Sequence, residues 1–296
     1  MIHYASADIA QALREVGIQK KDTVFLSARF SSIGHLNGVV SSHDFCQKFL
    51  NSIFEVIGES GTLVVPTYTQ QVGRFGVSYV HETTPTAYGE FYEFIRAQKS
   101  AIRSFHPVFS LTAIGANAKA ICEQVDTSAF GVNSAFGNLF RNGGKSLSIG
   151  FDYSSGNIVK AAHYIESTYG VPYYYNKILD AEVYQGGKKS DKVFILNVGY
   201  RQFDVEFDYT RYIEALDRSH RLRQAKLGQA MLYASDLQDQ QNVGYRLLAE
   251  DVYSFLKRRP QFRKGHIPYE GCEETILEDS KRPMNWGGVG IARGWS

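Results

Sequence analysis

Two short segments of this sequence combine side chains that could carry out acid-base chemistry on an amine. Residues 102–110 read Ile-Arg-Ser-Phe-His-Pro-Val-Phe-Ser, which places a cation, two hydroxyls and an imidazole in one turn-to-strand unit. The second segment is His-Tyr-Ile-Glu at residues 163–166. Residues three apart share one face of a helix, so His163 and Glu166 can interact. A histidine oriented by a carboxylate is a general base for an amine nucleophile, and the pair therefore indicates acyl transfer.

Each histidine also has a purely structural interpretation. His163 shares its predicted helix with the apolar residues Ala162 and Ile165, so it could be a core histidine satisfied by a local acid. Pro107 favours extended backbone at His106. The imidazole of His106 could then have only a structural role, holding a neighbouring loop in place. The residues alone leave both interpretations open.

Short apolar strands alternate with amphipathic helices through the first part of the chain, and this pattern predicts a layered α/β core over residues 1–175. Ser42 is a predicted helix cap, and Gly58 is placed to end that helix. The predicted strands cover residues 23–26, 62–66, 107–114 and 146–149. The other predicted helices cover residues 88–96, 117–125 and 158–169.

The pattern changes after Pro172. Residues 181–184 and 192–198 flank a Gly-Gly-Lys-Lys turn and predict an antiparallel hairpin. Helices are predicted at residues 210–215 and 243–258. We therefore expect a single domain over residues 1–270, in which residues 176–262 add an antiparallel and helical part. Residues 271–296 are expected to form a C-terminal tail.

The composition excludes several classes of protein. The 296 residues carry a net charge of +2, which demands neither nucleic-acid nor membrane binding. Cys46, Cys122 and Cys272 show no Cys-x-x-Cys spacing, so we expect no metal site and a reducing, cytoplasmic setting. The first residues lack the features of a signal peptide, and no apolar run is long enough for a membrane span.

A series of segments spread over residues 5–175 resembles the aminoglycoside 3-N-acetyltransferase family, whose members are acetyl-CoA-dependent enzymes. The segments, in chain order, are Asp-Thr-Val-Phe-Leu (22–26), Ser-Ser-Ile-Gly (31–34), Gly-Glu-Ser-Gly-Thr-Leu-Val-Val-Pro-Thr-Tyr-Thr (58–69), Thr-Pro-Thr-Ala-Tyr-Gly (84–89), Phe-Ile-Arg (94–96), Arg-Ser-Phe-His-Pro (103–107), Ser-Ala-Phe-Gly-Asn-Leu (134–139) and His-Tyr-Ile-Glu (163–166). The resemblance implies that the coenzyme and catalytic motifs lie within residues 22–170. It also implies acetyl-CoA as co-substrate, His163 as the base that deprotonates the amine, and Glu166 as the group that holds its ring.

Further residues are expected to contact the two substrates. A small-residue turn can offer backbone N–H groups to phosphate, and an arginine can clamp it. The predicted coenzyme-binding residues are Ser31, Ser32, Ile33, Gly34, Thr67, Arg103, Ser104, His106, Phe109 and Ser110. Aromatic side chains near a cleft often stack on sugar rings, although packing is their default role. The predicted substrate-binding residues are Tyr68, Tyr173 and Tyr174.

The acceptor is predicted from one departure from the family's sequence pattern and from the net charge of the chain. The family usually has His-Ser-Ser directly after the first strand, where this chain has Ser27, Ala28 and Arg29. A site for a polycationic aminoglycoside is expected to be rich in carboxylates, yet this chain has no acidic excess. We therefore expect an amino sugar, carried on a nucleotide for surface-polysaccharide synthesis, as the acceptor. The alternatives are an aminoglycoside-inactivating enzyme and a non-catalytic relative that binds coenzyme A or a sugar. The sequence leaves open whether the protein forms a homodimer.

Overall fold

The protein is built around one mixed seven-stranded sheet. The computed structural model describes residues 2–200 and 205–261. The strands within these ranges are β1 (His3–Tyr4), β2 (Thr23–Ala28), β3 (His35–Leu36), β4 (Thr62–Pro66), β5 (Tyr79–Val80), β6 (Ile102–Arg103), β7 (Leu111–Gly115), β8 (Lys145–Ile149), β9 (Tyr174–Ile178), β10 (Val183–Gln185), β11 (Lys188–Lys189), β12 (Ile195–Gly199), β13 (Arg223–Leu227) and β14 (Ala230–Asp236). The helices are α1 (Ser6–Glu15), α2 (Ser42–Ile57), α3 (Gln70–Phe75), α4 (Glu90–Arg96), α5 (Ala118–Cys122), α6 (Ala135–Arg141), α7 (Ala162–Tyr169), α8 (Thr210–Arg218) and α9 (Leu237–Glu250).

The strand order of the main sheet is β13-β14-β8-β2-β4-β7-β6. The central strand β2 runs parallel to β4 and β8, whereas the outer pairs are antiparallel. Helix α2 connects β2 to β4. Its N-cap is Ser41, whose hydroxyl accepts the N–H of Asp44, one residue before the predicted cap. Its predicted end at Gly58 is confirmed, and the φ of 70° there favours glycine.

Side-chain alternation along the buried strands gives the sheet two apolar faces. Phe25 and Val64 point to the face covered by α5 to α9, whereas Val24 and Leu63 point to the face covered by α1, α2 and α4. Helices therefore cover both faces of a mixed sheet, and the predicted layered α/β fold is confirmed.

The chain after residue 175 contributes to the same core. Strand β14 pairs with β8, with Leu232 opposite Ile149, and α8 and α9 pack in the cluster that contains α6 and α7. The predicted hairpin is only partly correct. Strands β10 and β11 pair across the Gly-Gly turn, but β12 pairs with β9 instead, with Val198 opposite Tyr175. The predicted tail at residues 271–296 lies outside the described residues.

Candidate active site

His163 and Glu166 lie in the first turns of α7 and are hydrogen-bonded. Nδ1 of His163 is 2.9 Å from Oε2 of Glu166. The Glu166 side chain has no solvent exposure, whereas that of His163 is 41% exposed. One tautomer of the imidazole carries its proton on Nδ1 and donates it to the carboxylate, which accepts when it is ionised. The other ring nitrogen, Nε2, is then unprotonated and can accept a proton from a substrate.

Three tyrosine hydroxyls converge on the same carboxylate. Tyr173 donates to Oε1 at 2.8 Å, and Tyr174 and Tyr209 each donate to Oε2 at 3.0 Å. Burial, followed by the charge of Glu166, raises the pKa of Tyr174 and Tyr209 well above the usual value for tyrosine. These two hydroxyls therefore keep their protons and act as neutral donors.

The sequence analysis missed Tyr209, which is 43 residues from Glu166 and belongs to the part of the chain predicted to be an addition. No local spacing connects the two residues. The only available signal was its position directly before the predicted helix at residues 210–215. Tyr209 stacks on Phe207 with nearly parallel rings, and Phe207 also contacts the ring of His163.

The predicted substrate contacts of the tyrosines need correction. Tyr173 has no exposure and Tyr68 is 4% exposed, so neither can present a stacking wall to a sugar. Tyr68 packs between Tyr88 and Phe109. Tyr174 is partly exposed, but its hydroxyl is engaged by His163 and Glu166.

Arg103 is a buried structural cation. It donates from Nε to Oγ of Ser110 at 3.0 Å and from its terminal nitrogens to the carbonyl oxygens of Thr67 at 2.9 Å and Thr84 at 2.7 Å. A fourth bond reaches the carbonyl oxygen of His81. The guanidinium thus ties together the loops beside β4 and β7, and its predicted contact with the coenzyme stays a prediction.

The other members of this segment are also buried in internal contacts. Nδ1 of His106 accepts the backbone N–H groups of Val108 and Phe109 at 3.2 and 3.0 Å, and burial lowers the pKa of His106 to about 4. This neutral imidazole holds a turn, as in the structural interpretation. The Ser104 hydroxyl accepts the N–H of Leu111.

Thr67 and Ser110 complete the same frame. The Thr67 hydroxyl lies 2.9 Å from that of Thr112, and the Ser110 hydroxyl donates to the carbonyl oxygen of Thr67. Phe109 is partly buried and packs on Tyr68. The structure thus brings together the predicted residues that follow β4 and precede β7, and they form a buried polar frame.

A cavity of about 360 Å³ opens where β2 ends. Its lining consists of Ser27, Ala28, Arg29, Phe30, Ser31, Phe45, Cys46, Tyr88, Gly89, Glu90, Phe91, Tyr92, Phe151 and Asn157. Of the predicted phosphate-binding turn, Ser31 alone belongs to this lining. Ile33 is buried in the core, and the Ser32 hydroxyl lies 2.7 Å from the carbonyl oxygen of Arg29. Gly34 has a φ of 119°, and a Cβ there would meet the carbonyl oxygen of Ile2.

Arg29 is the cation of this cavity. Its guanidinium carbon lies 5.0 Å from the centre of the Phe151 ring. Its Nε atom is buried and has no hydrogen-bond partner within residues 2–200 and 205–261. Burying such a donor unpaired is costly, so the position is suited to an anionic ligand. The sequence analysis noted Arg29 only as a departure from a family pattern.

The cavity adjoins the helix that carries the base. Nζ of Lys160 lies 3.0 Å from Oδ1 of Asn157 and 5.0 Å from the centre of the Tyr88 ring, and both of these partners line the cavity. Lys160 is three residues before His163.

Neither a metal site nor a membrane-spanning helix is present in the part of the chain that the structure describes. They contain no cluster of three or more histidine, cysteine or acidic side chains that could hold a metal ion. None of the helices in these ranges is both long and apolar enough to span a membrane. Cys46 and Cys122 are buried.

The layered fold and the hydrogen-bonded His163 and Glu166 are compatible with acyl transfer to an amine. The model of the aminoglycoside 3-N-acetyltransferase family matches residues 25–249, most of the chain. The protein belongs to this family, and it is an N-acetyltransferase.

Similar proteins include one curated relative and several solved structures. The SPbeta prophage-derived aminoglycoside N(3')-acetyltransferase-like protein YokD of Bacillus subtilis (strain 168) is 24% identical over 247 residues, which cover 75% of this chain and 84% of YokD. The structure titled AAC-IIIb binary with CoASH has a TM-score of 0.71 at 17% identity, covering 87% of this chain and all of that chain. The structure of AAC-VIa bound to sisomicin has a TM-score of 0.69 at 19% identity, covering 83% of this chain and 98% of that chain.

The comparisons correct the predicted acceptor. The family description and the names of these relatives refer to aminoglycosides, and they give no support to a nucleotide-linked amino sugar in polysaccharide synthesis. The aminoglycoside alternative fits them better.

Proposed function

We propose that this protein transfers the acetyl group of acetyl-CoA to an amino group of an aminoglycoside. The observation that carries the proposal is the partly exposed His163, whose Nδ1 is bonded to a fully buried carboxylate while Nε2 is free to accept a proton. Two relatives support the choice of substrates, since one was solved with CoASH and another with sisomicin.

The residues of the site account for the proton transfers. Nε2 of His163 takes a proton from the acceptor amine as the amine nitrogen forms its bond to the thioester carbonyl carbon. The imidazolium that forms is stabilised by Glu166 through Nδ1–H. The carbon–sulfur bond then breaks, and the proton on Nε2 passes to the departing thiolate. The products are an N-acetylated amine and free coenzyme A.

We further propose that the coenzyme occupies the cavity at the end of β2, where Arg29 would pair with one of its phosphate groups. The serine hydroxyl of Ser31 is a second polar group in the lining. In this proposal residues 1–270 act as one domain, because Tyr209 from the C-terminal part contacts the same carboxylate as Tyr173.

Replacing Arg29 by glutamine is expected to raise the KM for acetyl-CoA about 10-fold, because one charge-assisted hydrogen bond to a half-exposed phosphate is lost. The kcat should change little, since the contact is made equally in the ground state and the transition state. Steady-state kinetics and calorimetric titration with coenzyme A measure both effects. Arg246→Gln, on the exposed face of α9, is the matched control. Unchanged coenzyme affinity in Arg29→Gln would place the coenzyme elsewhere.

The function itself is tested by thiol release from acetyl-CoA with purified protein. The acceptor panel contains sisomicin, gentamicin, kanamycin and a nucleotide-linked amino sugar, together with a reaction that lacks an acceptor. We expect acceptor-dependent thiol release with at least one aminoglycoside. Turnover of the nucleotide sugar alone would contradict the proposed acceptor. Coenzyme binding without any turnover would support a non-catalytic relative.

A further inference from the structure

We propose that Tyr173, Tyr174 and Tyr209 are positioning residues for catalysis: their hydroxyls fix the Glu166 carboxylate in place and keep the proton of His163 on Nδ1. This inference rests on the proposed role of His163 as the base. It assigns a function to three buried hydroxyls that the proton transfers themselves do not require.

The Glu166 carboxylate has enough hydrogen-bond capacity for all of these groups. An ionised carboxylate has about four acceptor sites. Tyr173 donates to Oε1, and three groups surround Oε2, namely Tyr174, Tyr209 and Nδ1 of His163. A buried charge is very costly unless hydrogen bonds or a counter-ion compensate it. No lysine or arginine is recorded as an ion-pair partner of Glu166 within the described residues, so the hydroxyls supply most of the compensation.

The same hydroxyls also affect the imidazole tautomer. The hydroxyl oxygens of Tyr174 and Tyr209 lie 2.7 and 3.3 Å from Nδ1 of His163. If these hydroxyls donated to Nδ1, the ring proton would reside on Nε2 and the base would be blocked. Both hydroxyls also lie 3.0 Å from Oε2 of Glu166. Although Tyr174 is nearer to Nδ1, a charged carboxylate is a stronger acceptor than a neutral ring nitrogen, so both protons are directed to the carboxylate. Their oxygen lone pairs then face Nδ1–H and favour the tautomer in which Nε2 is free.

A further feature is the rigidity of the arrangement. Tyr173 directly precedes β9 and Tyr174 begins it, whereas Tyr209 is the residue before α8. The carboxylate is therefore fixed from two separate parts of the chain. Tyr209 also packs edge-on against Phe255, which limits rotation of its ring.

The test uses Tyr209→Phe and Tyr174→Phe, which remove a hydroxyl and keep the ring. We expect each to lower kcat about 10-fold, the effect of one lost hydrogen bond to a buried charge, with KM for both substrates within about 2-fold. Two controls separate this from a loss of stability. Tyr164→Phe removes a hydroxyl from α7 that does not contact Glu166, and it should leave kcat unchanged. Tyr212→Phe removes a buried hydroxyl that donates to the carbonyl oxygen of Gln240, and it should lower thermal stability without lowering kcat.

A spectroscopic readout keeps the inference independent of turnover. In 15N-histidine NMR spectra, the His163 signal can be assigned by its loss in His163→Gln. The unaltered protein should show a protonated Nδ1 and an unprotonated Nε2, whereas Tyr209→Phe and Tyr174→Phe should show a mixture of tautomers. If the two variants showed a mixture of tautomers but the unaltered protein transferred no acetyl group, the proposed function would be refuted. The effect of the tyrosines on the His163 tautomer would still stand. Unchanged kcat and an unchanged tautomer in both variants would overturn the inference.

Discussion

His163→Ala is expected to lower kcat by about 10²- to 10⁴-fold, because the variant lacks the group that accepts the amine proton. The fold should persist, since the His163 side chain is 41% exposed. Coenzyme affinity should also persist, because the cavity that contains Arg29 has no contribution from His163. The measurements are single-turnover acetyl transfer, circular dichroism and coenzyme titration.

His35→Ala is the matched control for this change. His35 is an exposed histidine in β3 and is far from His163 in sequence. Its removal should leave kcat unchanged within error. A well-folded His163→Ala protein that turns over at the normal rate would eliminate His163 as the base. The adjacent tyrosines would then require another explanation.

Arg103→Ala is expected to lower the free energy of unfolding by about 3 to 5 kcal/mol, because four hydrogen bonds to buried oxygens are lost together. The carbonyl oxygens of Thr67 and Thr84 would be left without this donor in the interior. Arg103→Lys should rescue little of the loss, since an ammonium group cannot reproduce the planar fork of donors. Urea unfolding, monitored by far-ultraviolet circular dichroism, measures the change in the free energy of unfolding.

The same variants test the coenzyme prediction made from the sequence. If Arg103 clamped a phosphate, Arg103→Ala would retain normal stability and show a raised KM for acetyl-CoA. Arg14→Ala, which removes an exposed ion pair with Glu55, is the control and should change stability by less than about 1 kcal/mol.

Short-range features could be predicted from the sequence. The three-residue spacing of His163 and Glu166 defined a helical pair, and the apolar run at residues 62–66 defined β4 with its observed bounds. Both depend on geometry that is set within a few residues. The end of α2 at Gly58 is local in the same sense, because the positive φ needs glycine at that one position.

Long-range contacts could not be predicted in this way. Tyr209 reaches Glu166 only because α8 packs in the same apolar cluster as α7 and α9, and β12 pairs with β9 rather than β10 through tertiary packing. The surroundings of Arg103 could not be predicted for a different reason. A buried polar frame and an open binding site use the same residue types, so the sequence could not show that Arg103 faces carbonyl oxygens instead of a ligand.

The pairing of β14 with β8 also has a consequence for synthesis on the ribosome. Strand β8 ends at Ile149, yet its outer edge is not covered until β14, which begins at Ala230, has been made. At translation rates of about 5 to 20 residues per second, this edge waits several seconds for its partner. An apolar strand with an open edge can pair with other chains during that interval. Shielding of this edge, or fast translation of the intervening stretch, would shorten the exposure of β8 to such mispairing.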